Sequence, residues 1–296
     1  MTLLCHTLAD ESFSMVIGLE ISPILTKNVY TLKYIIDMNK IITFSSIKGG
    51  AGKTTSVANT AACLAQIGFS VLVVDADYQA NLTSTFLSST PERTLYDVLV
   101  TPSIALPILQ IRECLSILPA SRQMFAVDDI LRLRQTDGQN PLHILRTLLA
   151  RVREEFDYIL LDPPPSDNLM MRGAILAATD LVMVAKPDPY CVSAIRELCS
   201  LVRAVREQNN GQPKFDGILL TDVECGAVGH RQGEEAIRRE AKAGSVFSSK
   251  IRHSRPLARA AGEHMDVISF NRKSNGAADY QAFTQELLMR LGYDVR

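Results

Sequence analysis

Eight consecutive residues combine glycines, lysines and hydroxyl side chains in a pattern that suits phosphate binding. They follow a short apolar run and open a stretch with helical spacing. Glycines allow backbone N–H groups to turn inward around phosphate oxygens, and the following helix N-terminus adds unpaired donors. A glycine-rich turn without a ligand is the alternative, but the strand–loop–helix context favours a nucleotide phosphate site. Its residues are Lys48, Gly49, Gly50, Ala51, Gly52, Lys53, Thr54 and Thr55.

Two side chains of this loop have specific chemistry. The Lys53 ammonium would reach the β- and γ-phosphates, and the Thr54 hydroxyl would ligate Mg²⁺. Aspartates stand directly after two further apolar runs, with Asp75 and Asp77 after the run at 71–74 and Asp162 after the run at 158–161. Ligands of open α/β sheets bind beyond the carboxyl ends of the strands, so the Asp162 carboxylate is expected near the phosphates. For Asp162, a helix N-cap is the alternative interpretation.

The elements that must position these residues are strands alternating with helices. Short runs that are apolar throughout, rather than alternating, are typical of strands buried on both faces of a parallel sheet. The sequence therefore predicts a doubly wound, mostly parallel α/β fold of the P-loop type over residues 38–296. The predicted strands lie at 41–44, 71–74, 158–161, 181–184 and 218–220, and the predicted helices at 56–67, 140–155, 168–178, 190–208, 231–243 and 277–291.

Residues 1–37 stand outside this pattern. Met38 lies two residues before the first predicted strand. The segment is either a short N-terminal extension that packs on the domain or a partner, or a gene-start artefact with translation beginning at Met38. It carries too few helix signals to hold a separate helix-turn-helix domain.

Composition excludes several classes. The chain has 296 residues, 47% of them apolar, and a net charge of −1, which excludes a protein that is basic throughout. The six cysteines form no C-x-x-C pair, so a metal cluster is not expected. The sequence contains no run of about 18 apolar residues and no basic start typical of a signal peptide, so a cytoplasmic protein is expected.

One segment is locally basic. Residues 226–259 contain eight Lys or Arg and three Glu, a local excess of +5. Such clustering suits sequence-independent contacts to DNA phosphates, whereas a solvated basic face is the alternative. The candidate DNA contacts are Arg238, Arg239, Lys242, Lys250, Arg252 and Arg255, with the first three predicted on one helix.

Three motifs together resemble those of the ParA/MinD family of deviant Walker A ATPases. The loop has a second lysine, Lys48, and Ile47 where the common phosphate loop has glycine. The segment 75–81 is similar to the family's D-x-D-P-Q-G-N, with Tyr78 and Ala80 in place of Pro and Gly. Residues 162–165 are similar to its D-T-P-P, and the resemblance extends over about residues 39–291.

The resemblance implies roles for individual residues. Lys48 would act in trans, reaching the phosphates of a partner subunit in an ATP-bound homodimer, and Asp77 would orient the attacking water. Asp75 and Asp162 would support Mg²⁺ together with Thr54. By this resemblance the cofactors are ATP and Mg²⁺, and the catalytic residues are Lys48 and Asp77.

The family also implies a biological setting. Partition ATPases of this kind bind nucleoid DNA non-specifically as ATP dimers, and a ParB-like partner stimulates their slow hydrolysis. A MinD-like membrane ATPase would need a basic amphipathic helix beyond the last predicted helix, so no membrane contact is expected. A positioning ATPase for a secretion or cellulose apparatus and an ATP-dependent small-molecule synthetase remain alternatives. A nitrogenase-reductase-like protein is excluded because the cysteine positions do not match.

Overall fold

The structure, a computed structural model, describes residues 39–136, 140–224 and 226–293. The extension predicted at residues 1–37 lies outside the described residues. Within them, an eight-stranded sheet has the order β3-β4-β2-β5-β1-β6-β7-β8, and all neighbouring strands pair parallel except β3 and β4. The predicted fold class is confirmed. The strands are β1 Lys40–Ser45, β2 Val71–Asp75, β3 Leu109–Arg112, β4 Leu115–Leu118, β5 Tyr158–Asp162, β6 Asp180–Ala185, β7 Lys214–Val223 and β8 Val246–Arg252.

Helices connect the parallel strands. They are α1 Lys53–Ile67, α2 Asn81–Phe86, α3 Leu95–Val100, α4 Val127–Thr136, α5 Ile144–Leu149, α6 Leu169–Ala177, α7 Cys191–Gln208, α8 Val228–Glu240, α9 Arg255–Gly262, α10 Val267–Phe270 and α11 Asn275–Arg290. Helix α1 ends at Gly68, whose φ of 102° gives the left-handed cap that glycine adopts without strain. The helices predicted at 56–67, 168–178, 190–208 and 277–291 agree with α1, α6, α7 and α11 within a few residues, whereas α2, α3, α4, α9 and α10 were not predicted.

Two helix predictions were wrong. The helix predicted over 140–155 is three short pieces: a 3₁₀ turn at Pro141–His143, the helix α5, and a second 3₁₀ turn at Arg153–Glu155. Asn140 caps the first turn by accepting a hydrogen bond from the Leu142 N–H. Helix α8 ends at Glu240, so Lys242 lies beyond it rather than on it.

Helices cover both faces of the sheet and bury its central strands. On one face α1 and α11 pack together, and the Ser56 and Tyr280 hydroxyls lie 3.1 Å apart between them. The other face carries helices such as α3 and α6 over Ile41, Leu72 and Ile159. Strands β2 and β5 are buried at every residue, which explains their uninterrupted apolar sequences. This packing fixes the carboxyl edge of the sheet, where the candidate site lies.

None of the described helices combines the length and apolar character needed to cross a bilayer.

Candidate active site

The phosphate loop joins the end of β1 to the start of α1. Gly50 and Gly52 have φ values of 74° and 79°, in the left-handed region that favours glycine, and Gly52 is the N-cap of α1. The Thr221 hydroxyl at the end of β7 donates a hydrogen bond to the Ala51 carbonyl oxygen. A Cβ added to Gly49 or Gly50 would meet nothing within 4 Å, so the outer side of the loop is open. The loop therefore has the backbone conformation and the free space that a phosphate cradle needs.

The first two side chains of α1 converge on the end of β5. The Lys53 Nζ forms an ion pair with Asp162 Oδ1, and both side chains are buried. The Thr54 hydroxyl donates a 2.7 Å hydrogen bond to the other carboxylate oxygen, Oδ2. Because β1 and β5 are neighbours in the sheet, Asp162 at the end of β5 lies directly beside the phosphate loop. The structure thus brings together the predicted phosphate-binding lysine and two of the predicted Mg²⁺ ligands.

Asp75 lies opposite Asp162 in the register of β2 and β5. Its carboxylate accepts hydrogen bonds from the N–H and the hydroxyl of Thr83, each 2.8 Å long, and one from the Asp77 N–H at 3.1 Å. Burial, together with repulsion from the Asp162 carboxylate, raises the pKa of Asp75 to about 7. Two buried carboxylates side by side form an environment that a cation would stabilise.

Asp77 lies at the start of the loop that leads into α2. Its carboxylate accepts a 3.0 Å hydrogen bond from the Gln79 N–H. Burial raises the pKa of Asp77 and repulsion from Asp162 adds to this, although the Gln79 N–H and the Lys53 charge oppose it. Ala80, which closes this loop, has a φ of 51° at the N-cap of α2, a left-handed conformation that suits glycine better.

Lys48 extends to the side of the loop away from Asp162. Its Nζ forms an ion pair with Asp188 Oδ2 in the segment that follows β6, and it lies 5.9 Å from the centre of the Tyr190 ring. The Lys48 side chain is 40% exposed, whereas that of Asp188 is 15% exposed. The two lysines of the loop therefore have different carboxylate partners, one buried and one near the surface.

Three prolines, Pro163, Pro164 and Pro165, follow Asp162, and the first two are buried. The next residues lead into α6, where the Asn168 side chain caps the helix by accepting a hydrogen bond from the Met171 N–H. The segment that resembles the family's D-T-P-P thus lies directly beside the predicted Mg²⁺ ligands.

The candidate DNA-binding residues do not form one free basic surface. Arg238 and Lys250 both pair with Glu234, at 3.1 and 3.0 Å, and Arg252 makes a forked ion pair with Asp279. These three side chains form ion pairs within the fold, which the count of local charges in the sequence did not indicate. The remaining candidates are exposed: Arg239, Lys242 and Arg255.

Sequence reasoning missed Asp188 as a neighbour of the phosphate loop. It stands three residues after β6, at the same edge of the sheet as Asp162, so the rule that selected Asp162 applies to it as well. It also missed Thr83 and Thr221, whose hydroxyl contacts join segments distant in sequence and have no local signature.

The residues at this site fit a magnesium–nucleotide complex. Mg²⁺ prefers oxygen ligands, and the Thr54 hydroxyl with the Asp75 and Asp162 carboxylates supplies such a set. The open side of the glycine loop, with Lys53 at the helix N-terminus, fits the phosphates. Fold and site together define the class of protein as a P-loop nucleoside triphosphatase with a second lysine in its phosphate loop.

Comparisons with known proteins agree with this class. A family model described as an AAA domain, AAA_31, matches residues 39–215. The sporulation initiation inhibitor protein Soj of Bacillus subtilis is 30% identical over 254 residues, which cover 84% of this chain and 98% of Soj. The chain belongs to the ParA/MinD family of P-loop ATPases.

Solved structures with lower identity share the fold. The ATP complex of a Cyanothece McdA variant superposes with a TM-score of 0.75 at 19% identity, over 86% of this chain and 97% of that one. Cobyrinic acid a,c-diamide synthase from Mycobacterium smegmatis, with a bound ATP analogue and magnesium, gives a TM-score of 0.72 at 22% identity, over 84% and 94%. ATP or its analogue is therefore a ligand of proteins with this fold.

Proposed function

We propose that this chain is a ParA-type partition ATPase that dimerises with ATP, binds DNA non-specifically and hydrolyses ATP slowly. The observation that carries the proposal is the placement of the two lysines of one phosphate loop. Lys53 turns inward to Asp162, beside Thr54, whereas Lys48 lies near the surface, where a second subunit could be reached. The similarity to Soj over most of both chains supports the partition class.

ATP binding in this proposal uses the loop from Lys48 to Thr55 within a domain of residues 38–296. The Lys53 ammonium binds the β- and γ-phosphates, and the backbone N–H groups of the glycine loop hold the remaining oxygens. The Thr54 hydroxyl with the Asp162 and Asp75 carboxylates would hold Mg²⁺, which when bound neutralises phosphate charge. When ATP binds, the Lys53 ammonium would leave Asp162 and bind the phosphates instead.

Hydrolysis depends on positioning and on charge. Asp77 follows Asp75 by two residues and would orient the attacking water. Lys48 of each subunit would stabilise the negative charge that develops on the phosphates of the other subunit. Slow ATP hydrolysis, stimulated by a ParB-like partner, would release the dimer from DNA and so limit how long it stays bound. The protein would be cytoplasmic and associated with the nucleoid.

DNA binding would use the exposed part of the basic segment, namely Arg239, Lys242 and Arg255. Arg238, Lys250 and Arg252 would contribute only by leaving the carboxylates that now hold them. Dimerisation joins two weak basic surfaces into one bivalent binder, so DNA affinity should depend on ATP.

The test measures dimerisation and DNA retention in one set of samples. With Mg²⁺ and ATP, sedimentation should give a dimer that is retained on non-specific DNA at low salt, and with ADP it should give a monomer that is not. Lys48→Ala should remain a folded monomer with both nucleotides. Asp77→Asn should form a dimer that persists on DNA because hydrolysis is blocked.

The opposite results would refute the proposal. A wild-type protein that binds ATP but neither dimerises nor binds DNA is not a partition ATPase. If ATP turnover then rises only when a carboxylic acid substrate and an amine donor are added, the chain is a small-molecule synthetase instead.

A further inference from the structure

Charged residues of alternating sign line the carboxyl ends of the strands on one side of the phosphate loop. Lys48 pairs with Asp188, and Lys186 pairs with Asp222. The other Asp222 oxygen, Oδ1, lies 2.7 Å from His253 Nδ1. These residues follow or end β1, β6, β7 and β8, so the row crosses four strands.

Asp188 is the rigid member of the first pair. Its Oδ1 accepts a 3.0 Å hydrogen bond from the Tyr190 N–H, its own N–H donates to the Lys186 carbonyl at 2.9 Å, and its carbonyl accepts from the Cys191 N–H at 3.1 Å. The N-terminal end of α7 thus fixes the carboxylate. Lys48 is a long side chain on a glycine-rich loop and is more exposed, so it is the member that can move.

The charge balance around Asp188 favours this pair without making it permanent. Burial opposes ionisation of Asp188, but the hydrogen bonds from Lys48 and Tyr190 and the charges of Lys48 and Lys186 outweigh it and lower its pKa. Lys186 affects Asp188 through its charge alone, because its Nζ forms an ion pair with Asp222. If Lys48 leaves, Lys186 remains as a cation that stabilises the vacated carboxylate.

We propose that Asp188 is a positioning residue that holds Lys48 within its own subunit, so that the nucleotide-bound dimer forms only when this ion pair breaks in both subunits. The proposal rests on the dimer of the proposed function. In it, Asp188 competes with the phosphates of the partner subunit for the Lys48 ammonium. Asp188 therefore sets the dimerisation constant, and it does so without touching the nucleotide.

The principal test compares Asp188→Asn with the wild type by sedimentation in the presence of Mg²⁺ and a non-hydrolysable ATP analogue. Asn keeps an acceptor for the Tyr190 N–H but removes the charge that holds Lys48. Two partly exposed ion pairs no longer have to be broken, so the dimer dissociation constant should fall roughly 2- to 30-fold. Asp188→Glu retains the charge, so its dimer dissociation constant should be close to that of the wild type.

Glu240→Gln is the matched control for loss of a carboxylate. It removes the exposed ion pair between Glu240 and Arg196 on α8 and α7, away from the phosphate loop, and should leave dimerisation unchanged. Wild-type dimerisation with no change in Asp188→Asn would overturn the role of Asp188 while leaving the proposed function intact. Weaker dimerisation in Asp188→Asn would overturn it too, because Asp188 would then support the dimer.

Lys186→Gln should change the dimer dissociation constant in the direction opposite to Asp188→Asn. Without Lys186, the vacated Asp188 carboxylate loses its second cation, so Lys48 should leave less readily and the dimer should weaken by a few-fold. In the Asp188→Asn background the same substitution should have no effect, since the Asp188 carboxylate that Lys186 stabilises is absent. An equal effect in both backgrounds would show that Lys186 acts elsewhere and would remove it from the proposal.

A second readout does not depend on dimerisation. In the monomer with no nucleotide added, the Lys48 amine should be methylated faster by formaldehyde and borohydride in Asp188→Asn than in the wild type, as read by mass spectrometry. The exposed Lys242 amine is the internal reference. Equal Lys48 rates in the two proteins would overturn the ion pair itself, whatever the dimerisation experiments give.

Discussion

Lys53, the first residue of α1, and Asp162, the last residue of β5, form an ion pair in which the side chains are only 6% and 0% exposed. The same carboxylate accepts a 2.7 Å hydrogen bond from the Thr54 hydroxyl. One residue of the sheet therefore connects the proposed phosphate-binding lysine to a proposed magnesium ligand, and changing any of the three affects the others.

Lys53→Ala should lower ATP affinity roughly 100-fold or more, because the ammonium that would bind two phosphates is lost. It also leaves Asp162 buried without its partner, which typically costs about 3–5 kcal/mol of stability at neutral pH. ATP titration with a fluorescent analogue and urea unfolding measure the two effects. Lys48→Ala, whose pair is near the surface, should bind ATP normally and lose little stability; unchanged ATP affinity in Lys53→Ala would contradict the site assignment.

Arg239→Ala combined with Lys242→Ala should weaken ATP-dependent DNA binding without lowering stability, because both side chains are exposed. The slope of log affinity against log salt should decrease by about 0.9 for each phosphate contact removed. Fluorescence anisotropy with a random duplex between low and moderate salt provides the measurement. Arg252→Ala is the contrast: it breaks the forked pair with Asp279 and should lower the free energy of unfolding. An unaltered salt slope in the double variant would place the DNA surface elsewhere.

Gly233→Ala should destabilise the contact between α8 and the segment after β6. A Cβ at this position would lie 2.5 Å from the Pro187 carbonyl oxygen, so the helix or the loop must shift, at a cost of about 1–3 kcal/mol. Gly229→Ala in the same helix is the matched control, since its Cβ meets nothing within 4 Å and should stabilise the helix by up to about 1 kcal/mol. Opposite shifts of the urea midpoint are expected; shifts of the same sign would mean that α8 is not packed in this way.

Asp216, in β7 at the edge of the sheet opposite the phosphate loop, should make stability depend on pH. Burial and the nearby Asp180 carboxylate raise its pKa from 3.8 to about 6. The folded state therefore binds this proton more tightly than the unfolded state, so stability is greatest below about pH 4 for this group and falls as pH rises to about 6. Asp216→Asn removes the charge, and the free energy of unfolding at pH 7.5 should rise by on the order of 1–3 kcal/mol.

Urea unfolding of the wild type and Asp216→Asn at pH 5 and pH 7.5 checks this. The free energy of unfolding of Asp216→Asn should exceed that of the wild type by more at pH 7.5 than at pH 5. A variant that is less stable than the wild type at pH 7.5 would mean that the ion pair with Lys214 outweighs burial.

The sequence was sufficient to predict the parts of the fold that depend on local pattern. The central strands are apolar at every position because helices cover both faces, and this leaves a clear signal in segments such as 158–161. Strands β3, β4 and β8 were missed. Strands β3 and β4 have only four residues each, and β3 is exposed or half-buried throughout, whereas polar residues at 248–250 interrupt the apolar sequence of β8. The phosphate loop was predictable because its glycines and lysines are contiguous.

Pairings between distant residues could not be predicted from sequence. Arg252 and Asp279 are 27 residues apart, and their contact depends on how β8 and α11 pack. A local count of charges therefore overestimates the free basic surface of the segment 226–259. The same limit applies to Lys48, whose partner Asp188 is 140 positions away and is brought near by the order of β1 and β6.

The run Pro163–Pro165 restricts how the occupancy of the nucleotide site can be communicated. Proline has no N–H, so these three residues cannot donate backbone hydrogen bonds to a phosphate oxygen or to another subunit. Each proline also keeps the preceding residue out of the helical region, which fixes the backbone direction directly after Asp162. A peptide flip or a coil-to-helix change at these three residues is therefore a poor way to respond to a bound nucleotide. The side chains at the loop can respond instead: in the proposed function Lys53 leaves Asp162 for the phosphates, and Lys48 leaves Asp188.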